Sequence, residues 1–158
     1  ARFGAPVVRT PVGQSYISEA MLEHEAVIGG EGNGGVAVPR VLLSHDAAAA
    51  EGLILEAMAR RRATLADLLA GLPDYAMVKH DITVKPSVLY SRLQEFRDDV
   101  EVSHPDADLT DGIKVTLPQG WVHVRASQTE SLIRIIAEAD TAEHARDLVE
   151  WARDRVGS

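Results

Sequence analysis

Arg125, Ala126, Ser127, Gln128, Thr129 and Glu130 stand between two apolar, strand-like runs. Residues 125–129 bring together a guanidinium, two hydroxyls and a primary amide. Those are the donor types that hold a phosphate, and a guanidinium grips two of its oxygens at once. Each charge-assisted hydrogen bond of this kind contributes about 1.5–3 kcal/mol. A polar hairpin turn with Arg125 in water is the plainer explanation. Ser127, Gln128 and Thr129 exceed what so short a link needs to cap, so anion binding is favoured.

A second unusual stretch lies at residues 29–35, where five of seven positions are glycine. Its only side chains are Glu31 and Asn33. Glycine permits close backbone approach to a ligand, and two side chains two apart project to one side of an extended loop. A carboxylate and an amide suit the vicinal hydroxyls of a sugar. On composition alone a flexible surface turn carries equal weight. Neither nucleotide fingerprint fits, since no Gly-Lys-Ser/Thr follows and no acidic residue stands at dinucleotide-fold distance. Together the two stretches point to a phosphorylated, hydroxyl-rich small molecule.

Bulk properties narrow the field. The 158 residues are 46% hydrophobic and 25% charged, as in soluble globular proteins, and suffice for one domain or two small ones. Without cysteine there is no disulfide, thiolate metal site or cysteine nucleophile, which fits a reducing, cytoplasmic setting. No apolar run approaches the ~18 residues that span a bilayer, and no signal-peptide pattern opens the chain. A net charge of −8 disfavours nucleic acid as a partner. It also repels an anion at long range, so a phosphate site needs local cations within the screening length of about 8–10 Å. Lys114, His123, Arg125 and Arg134 are the candidates.

The six histidines show no paired short spacing, so no metal site is expected. His80, on an apolar strand face, reads as a hydrogen-bonded core residue. His123, two before Arg125, points to the same side of its strand and is a candidate phosphate contact. Arg134 interrupts an apolar strand, and an ion pair is favoured over a ligand contact. Arg60, Arg61 and Arg62 suit a solvated helix end, and Trp121 and Trp151 suit packing.

These residues need elements to hold them. Residues 6–9 read as a short strand, 19–25 as a helix and 26–28 as a buried strand entering the glycine loop. That is one βαβ-like unit of an α/β sheet, too small to stand alone. Asp46 caps a long helix bearing Leu53, Ile54, Ala57 and Met58. Thr64 opens another, with Leu65, Leu68, Leu69 and Leu72 on one face. Pro73 marks a boundary, giving domains 1–73 and 74–158. Val78, His80, Ile82 and Val84 then alternate as a strand. A helix carries Leu89, Leu93, Phe96 and Val100. Strands with Ile113, Val115 and Leu117, with 121–125, and with Ile133, Ile135 and Ala137 follow. Asp140 with Glu143 reads as a capping box for a last helix. The order β-α-β-β-β-α predicts an α+β domain, a four-stranded antiparallel sheet with both helices on one face.

In sequence order, Arg9-Thr10-Pro11-Val12-Gly13, then Gly30-Glu31-Gly32-Asn33-Gly34, then Gly120-Trp121 through Glu130, resemble the α-D-phosphohexomutase family. The first resembles its third-domain strand and turn, the second its sugar-binding loop, the third the phosphate loop of its fourth domain. The resemblance implies that Glu31 and Asn33 bind ring hydroxyls while Arg125, Ser127, Gln128 and Thr129 hold the phosphate that is not reacting. It adds Gln14, where some members carry His, as a further candidate. Gly35 and Gln128 depart from the family's common His and Asn, and Ala126 from its common Pro.

Phosphohexomutases interconvert hexose or hexosamine 6-phosphates and 1-phosphates through a phosphoserine and a bisphosphorylated sugar, assisted by magnesium. No phosphoserine loop or Asp-Gly-Asp-type magnesium loop occurs here. The resemblance therefore implies that the chain starts inside the third domain, with catalytic serine and Mg2+ in N-terminal domains of the same protein. These residues alone are then expected to be inactive. The glycine-loop form is most similar to phosphoglucosamine mutases. The competing function is a non-catalytic phosphosugar-binding module; a protein–protein module is a third.

Overall fold

The computed structural model describes residues 4–127 and 129–157, which divide into two compact units between Pro73 and Asp74. In the first, helix α1 (Gln14–Glu23) precedes three short strands: β1 (Gly29–Gly30), β2 (Val36–Val38) and β3 (Leu42–His45). They pair antiparallel in the order β1-β2-β3. Ile17 and Met21 of α1 bury against Ala37 of β2, with Ala26 and Leu43 at the margin.

The βαβ-like unit expected at the start does not form. Residues 6–9 are not a strand, and Val27 and Ile28 are 82% and 53% exposed instead of buried. The helix begins at Gln14, not Glu19. The strand is the glycine pair itself, because α1 lies directly upon it. A Cβ on Gly29 would stand 2.5 Å from Met21 Sδ and 2.7 Å from Ile17 Cγ2. A side chain there would push the helix off the sheet, and without one the strand looks like loop.

Helix α2 (Ala47–Arg61) starts where Asp46 Oδ1 accepts from Ala49 N at 2.9 Å. Helix α3 (Leu65–Leu69) carries a reciprocal box, in which Thr64 N donates to Asp67 Oδ2 at 2.8 Å and Asp67 N to Thr64 Oγ1 at 3.2 Å. Neither helix buries a residue fully. Ile54, Leu55, Leu65, Leu69 and Leu72 stay exposed, an apolar surface wide for so small a unit.

The second unit contains β4 (Ala76–Thr83), α4 (Pro86–Ser103), β5 (Ile113–Leu117), β6 (Gly120–Ala126), β7 (Leu132–Ala139) and α5 (Ala142–Val156). The sheet is antiparallel, in the order β4-β7-β6-β5. Val115, Val122, Val124, Ile133, Ile135 and Ala137 turn inward. There Phe96 and Val100 of α4 and Ala145, Leu148 and Ala152 of α5 complete a single core, so both helices cover one face. The opposite face is left to Lys79, Asp81, Lys114, Trp121, His123, Arg125, Arg134 and Glu138.

One cap differs from expectation. Thr141, in the extended conformation a cap requires, accepts from His144 N at 3.1 Å. Asp140 instead meets His144 Nδ1 at 2.6 Å on the surface, and Glu143 closes no box with it.

Candidate functional site

Central strands β6 and β7 are joined by residues 127–131. The roots of this loop are fixed: Ser127 N donates to Leu132 O at 3.0 Å, Ser131 Oγ to Val84 O at 2.9 Å, and Val84 N to Ser131 O at 3.2 Å. Beyond the roots, Leu132 N donates to Glu130 O at 2.9 Å. Thr129 N and Glu130 N both point at Ser127 Oγ, at 3.4 and 3.3 Å, long for hydrogen bonds. Two main-chain donors converging on one acceptor form a concavity that suits an anion, which would replace the hydroxyl as their acceptor. Thr129 is exposed. Gln128, also a predicted phosphate contact, lies outside the described residues.

Arg125 stands at the end of β6, directly across from Arg134 of β7. Like charges paired across strands repel. Asp81 of β4 relieves this by taking Arg134 in a two-pronged grip, 2.8 Å to Nε and 2.8 Å to Nη2. That is the ion pair expected of Arg134, and its hydrogen bonds hold the Asp81 carboxyl below the usual carboxylate range. Among the described residues Arg125 Nη1 donates to Ala126 O at 3.2 Å, and its buried Nε has no partner. A guanidinium beside a second cation, with an orphaned donor, is arranged to take an anion.

His123 faces the same side as Arg125 but does other work. Its Nε2 bonds to the Asp111 carbonyl, bracing the turn at 111–112. Burial depresses its pKa below the ordinary histidine value, with Arg125 and Lys114 acting in the same direction. A neutral ring adds no charge to an anion site. Because the unfolded ring binds its proton more readily, stability falls as pH drops below the unfolded value of about 6.5 and levels off below the folded pKa. His144 acts oppositely: Asp140 raises its pKa, so its contribution is present at low pH and lost as pH rises through the folded value. The difference between the chain and His123→Gln isolates the first effect. Urea titrations from pH 7.5 to about pH 5 should show a shallower acid loss in the variant. Lys114 lies over the Trp121 ring at 3.9 Å, and Trp121 Nε1 donates to Glu138 Oε1 at 3.1 Å, so both serve the outer face of the sheet.

In the first unit, residues 31–35 are the tip of the β1–β2 hairpin, closed by Glu31 N to Gly35 O at 2.9 Å and Gly34 N to Glu31 O at 3.0 Å. The loop is a tight turn, not an extended segment. It brings the two predicted side chains together: Asn33 Nδ2 donates to Glu31 Oε2 at 3.2 Å, and Asn33 Oδ1 accepts from Gly35 N at 2.8 Å. Glu31 Oε1 accepts from Gly13 N at 3.0 Å, tying the turn to the start of α1. The carboxylate is pre-aimed, with lone pairs left for hydroxyl donors.

Gln14 is occupied structurally. Its Oε1 accepts from His45 N at 3.0 Å, and its Nε2 reaches Ser18 Oγ at 3.2 Å and Leu43 O at 3.4 Å. It clamps α1 to β3. His80 is half-buried on β4, outside the core cluster. Sequence reasoning passed over His45, whose ring lies against the glycine turn. Its spacing from Glu31 carries no periodic signal, and only the β2–β3 pairing brings the two together.

Known proteins resemble the chain along nearly its whole length. The family profile described as "Phosphoglucomutase/phosphomannomutase, alpha/beta/alpha domain III" matches residues 1–75. The profile described as "Phosphoglucomutase/phosphomannomutase, C-terminal domain" matches residues 89–154. A protein of Thermococcus kodakarensis named phosphoglucomutase/phosphomannomutase is 37% identical over 151 residues, covering 94% of this chain and 32% of the relative. One of Methanopyrus kandleri, named "Probable phosphoglucosamine mutase", is 38% identical over 149 residues, covering 92% and 32%. A crystal structure of a phosphoglucomutase/phosphomannomutase family protein from Burkholderia thailandensis superposes with a TM-score of 0.74 at 22% identity, over 93% of this chain and 32% of that one. The chain thus spans about a third of the length of the relatives it matches. With both domain profiles in order along it, the chain belongs to the phosphoglucomutase/phosphomannomutase family, of which it carries the third and C-terminal domains.

Proposed function

We propose that this chain is the sugar- and phosphate-binding part of a phosphohexomutase that interconverts a hexose or hexosamine 6-phosphate with the 1-phosphate. The observation that carries it is the pair of prepared loops: a carboxylate–amide turn at 31–35 and, on the family's C-terminal domain, a cationic strand end with converging main-chain donors at 125–130. Glu31 and Asn33 bind ring hydroxyls. Arg125, Ser127, Gln128 and Thr129 hold the phosphate that is not reacting. The name of the Methanopyrus relative favours glucosamine phosphates among the substrates.

The phosphoserine and bisphosphorylated intermediate of the family's chemistry are assigned to the whole protein, with the reacting serine outside this chain. Magnesium supplies charge neutralisation in phosphoryl transfer when bound. Among the described residues no group of three or more His, Asp or Glu could hold a metal ion. No helix among them is long and apolar enough to cross a membrane. The exposed apolar residues of α2 and α3 suit contact with further domains of the same protein.

Phosphorus NMR of the chain with magnesium and glucose 1-phosphate should show binding-induced shifts and no isomerisation. Turnover would overturn the binding-only role. Unchanged phosphate shifts on adding the chain would remove the phosphosugar assignment.

A further inference from the structure

Glu31 is gripped more closely than a surface turn requires. Its side chain is only 13% exposed, and besides Gly13 N and Asn33 Nδ2 it faces a third group. His45 Nε2 lies 3.5 Å from Glu31 Oε2, on a side chain 27% exposed. That nitrogen is buried and has no hydrogen-bond partner among the described residues. Burying a polar atom without a partner is costly, and such atoms in native structures call for an explanation.

The ring has been given its place at the expense of its neighbour. A Cβ on Gly35 would stand 2.5 Å from His45 Nδ1 and 2.7 Å from Nε2, and closer still to Cε1. No side chain fits at position 35 while the imidazole is there. The backbone of His45 is fixed from two directions. Its N–H donates to Gln14 Oε1 at 3.0 Å, and it pairs with Ala37 across β2–β3. The point from which the ring projects is thereby held beside the glycine turn.

We propose that His45 is a positioning residue for the sugar-hydroxyl site, acting through Glu31. This rests on the assignment of Glu31 as the hydroxyl acceptor. A carboxylate oxygen accepts about two hydrogen bonds. Oε1 has one from Gly13 and Oε2 one from Asn33, leaving one free acceptor position on each. An Nε2–H donor closing on Oε2 fills the second position there. The free acceptor is then on Oε1, in one direction, for one hydroxyl of a hexose phosphate. The second hydrogen of Asn33 Nδ2 is the matching donor for the oxygen of a neighbouring hydroxyl. His45 selects a single carboxylate orientation, and Gly35 is glycine because the imidazole needs its space.

The test combines calorimetric titration with glucose 6-phosphate and thermal denaturation for His45→Ala, His45→Gln, Gly35→Ala, the His45→Ala/Gly35→Ala double variant and Glu31→Gln. His45→Ala should weaken binding about 5- to 20-fold, the range of losing one oriented hydrogen bond. His45→Gln, which keeps an N–H donor, should recover most of the loss. Gly35→Ala should weaken binding and lower the melting temperature, and should do neither further in the His45→Ala background. Nitrogen NMR supplies a readout independent of ligand affinity. The His45 ring should carry its proton on Nε2, and Glu31→Gln should shift that resonance. Unchanged binding by His45→Ala alongside weakened binding by Glu31→Gln would overturn the role of His45 and leave the hydroxyl site standing. A resonance insensitive to Glu31→Gln would overturn it as well. Glu31→Gln binding as tightly as the unaltered chain would remove the hydroxyl site, and this inference with it.

Discussion

Arg125→Ala should weaken the binding of a hexose monophosphate by about 2–5 kcal/mol where the site is assembled and dry, or roughly 30- to several thousand-fold. The size follows from what the variant leaves behind. Thr129 N and Glu130 N would still converge, but the charge partner would be gone. The cation directly across the strands, Arg134, is committed to Asp81. In the chain by itself, water and salt reach the site and the loss should fall toward the lower bound. Arg125→Lys should retain only part of the affinity, since an ammonium keeps the charge but lacks the planar fork. Parallel titration with glucose 6-phosphate and with unphosphorylated glucose checks this. Equal affinity of chain and variant for the phosphorylated sugar would show that the loop at 125–130 is not the anion site.

Phe96→Ala should destabilise the second unit by about 3–5 kcal/mol, as large-to-small changes of buried aromatics do. Phe96 is fully buried at the centre of the core and meets the Trp151 ring edge-on, centroids 6.1 Å apart. The edge contact contributes about 0.5–1.5 kcal/mol beyond buried area. Trp151 in turn meets His104 at 5.5 Å, so the aromatic cluster ties α4 to α5. Domains of this size are typically stable by only about 5–15 kcal/mol, so one substitution removes a large part of the margin. Urea denaturation followed by tryptophan fluorescence measures it. A loss under about 1 kcal/mol would mean that the site collapses around the missing ring.

The second unit was legible because its signals are periodic. Alternation in β4 and the spacing of Leu89, Phe96 and Val100 report burial directly, and the structure places those residues on the core side. The first unit defeated the same method. Its strands are two to four residues long, too short to alternate, and β1 consists of glycine. Val27 and Ile28 looked like a buried strand because apolar character was the only clue available, yet they lie in the open. Asp140 looked like a cap by residue type, whereas Thr141 holds the required backbone conformation. Among site residues, Glu31 and Asn33 could be found as a local pair, and their mutual hydrogen bond follows from the turn. His45 and Asp81 could not. Each reaches its partner only through strand pairing, a long-range relation that no window along the chain contains.

The loop at 127–131 hangs between the two innermost strands of its sheet, with roots stitched to Leu132 and Val84, while Thr129 N and Glu130 N reach Ser127 Oγ only at 3.4 and 3.3 Å. Amide protons at the roots should therefore exchange with solvent more slowly than those of Thr129 and Glu130. Such a division should let the side chains of Thr129 and Glu130 change at little cost to the fold. The anchorage beneath, shared with the domain's folding, tolerates far less drift.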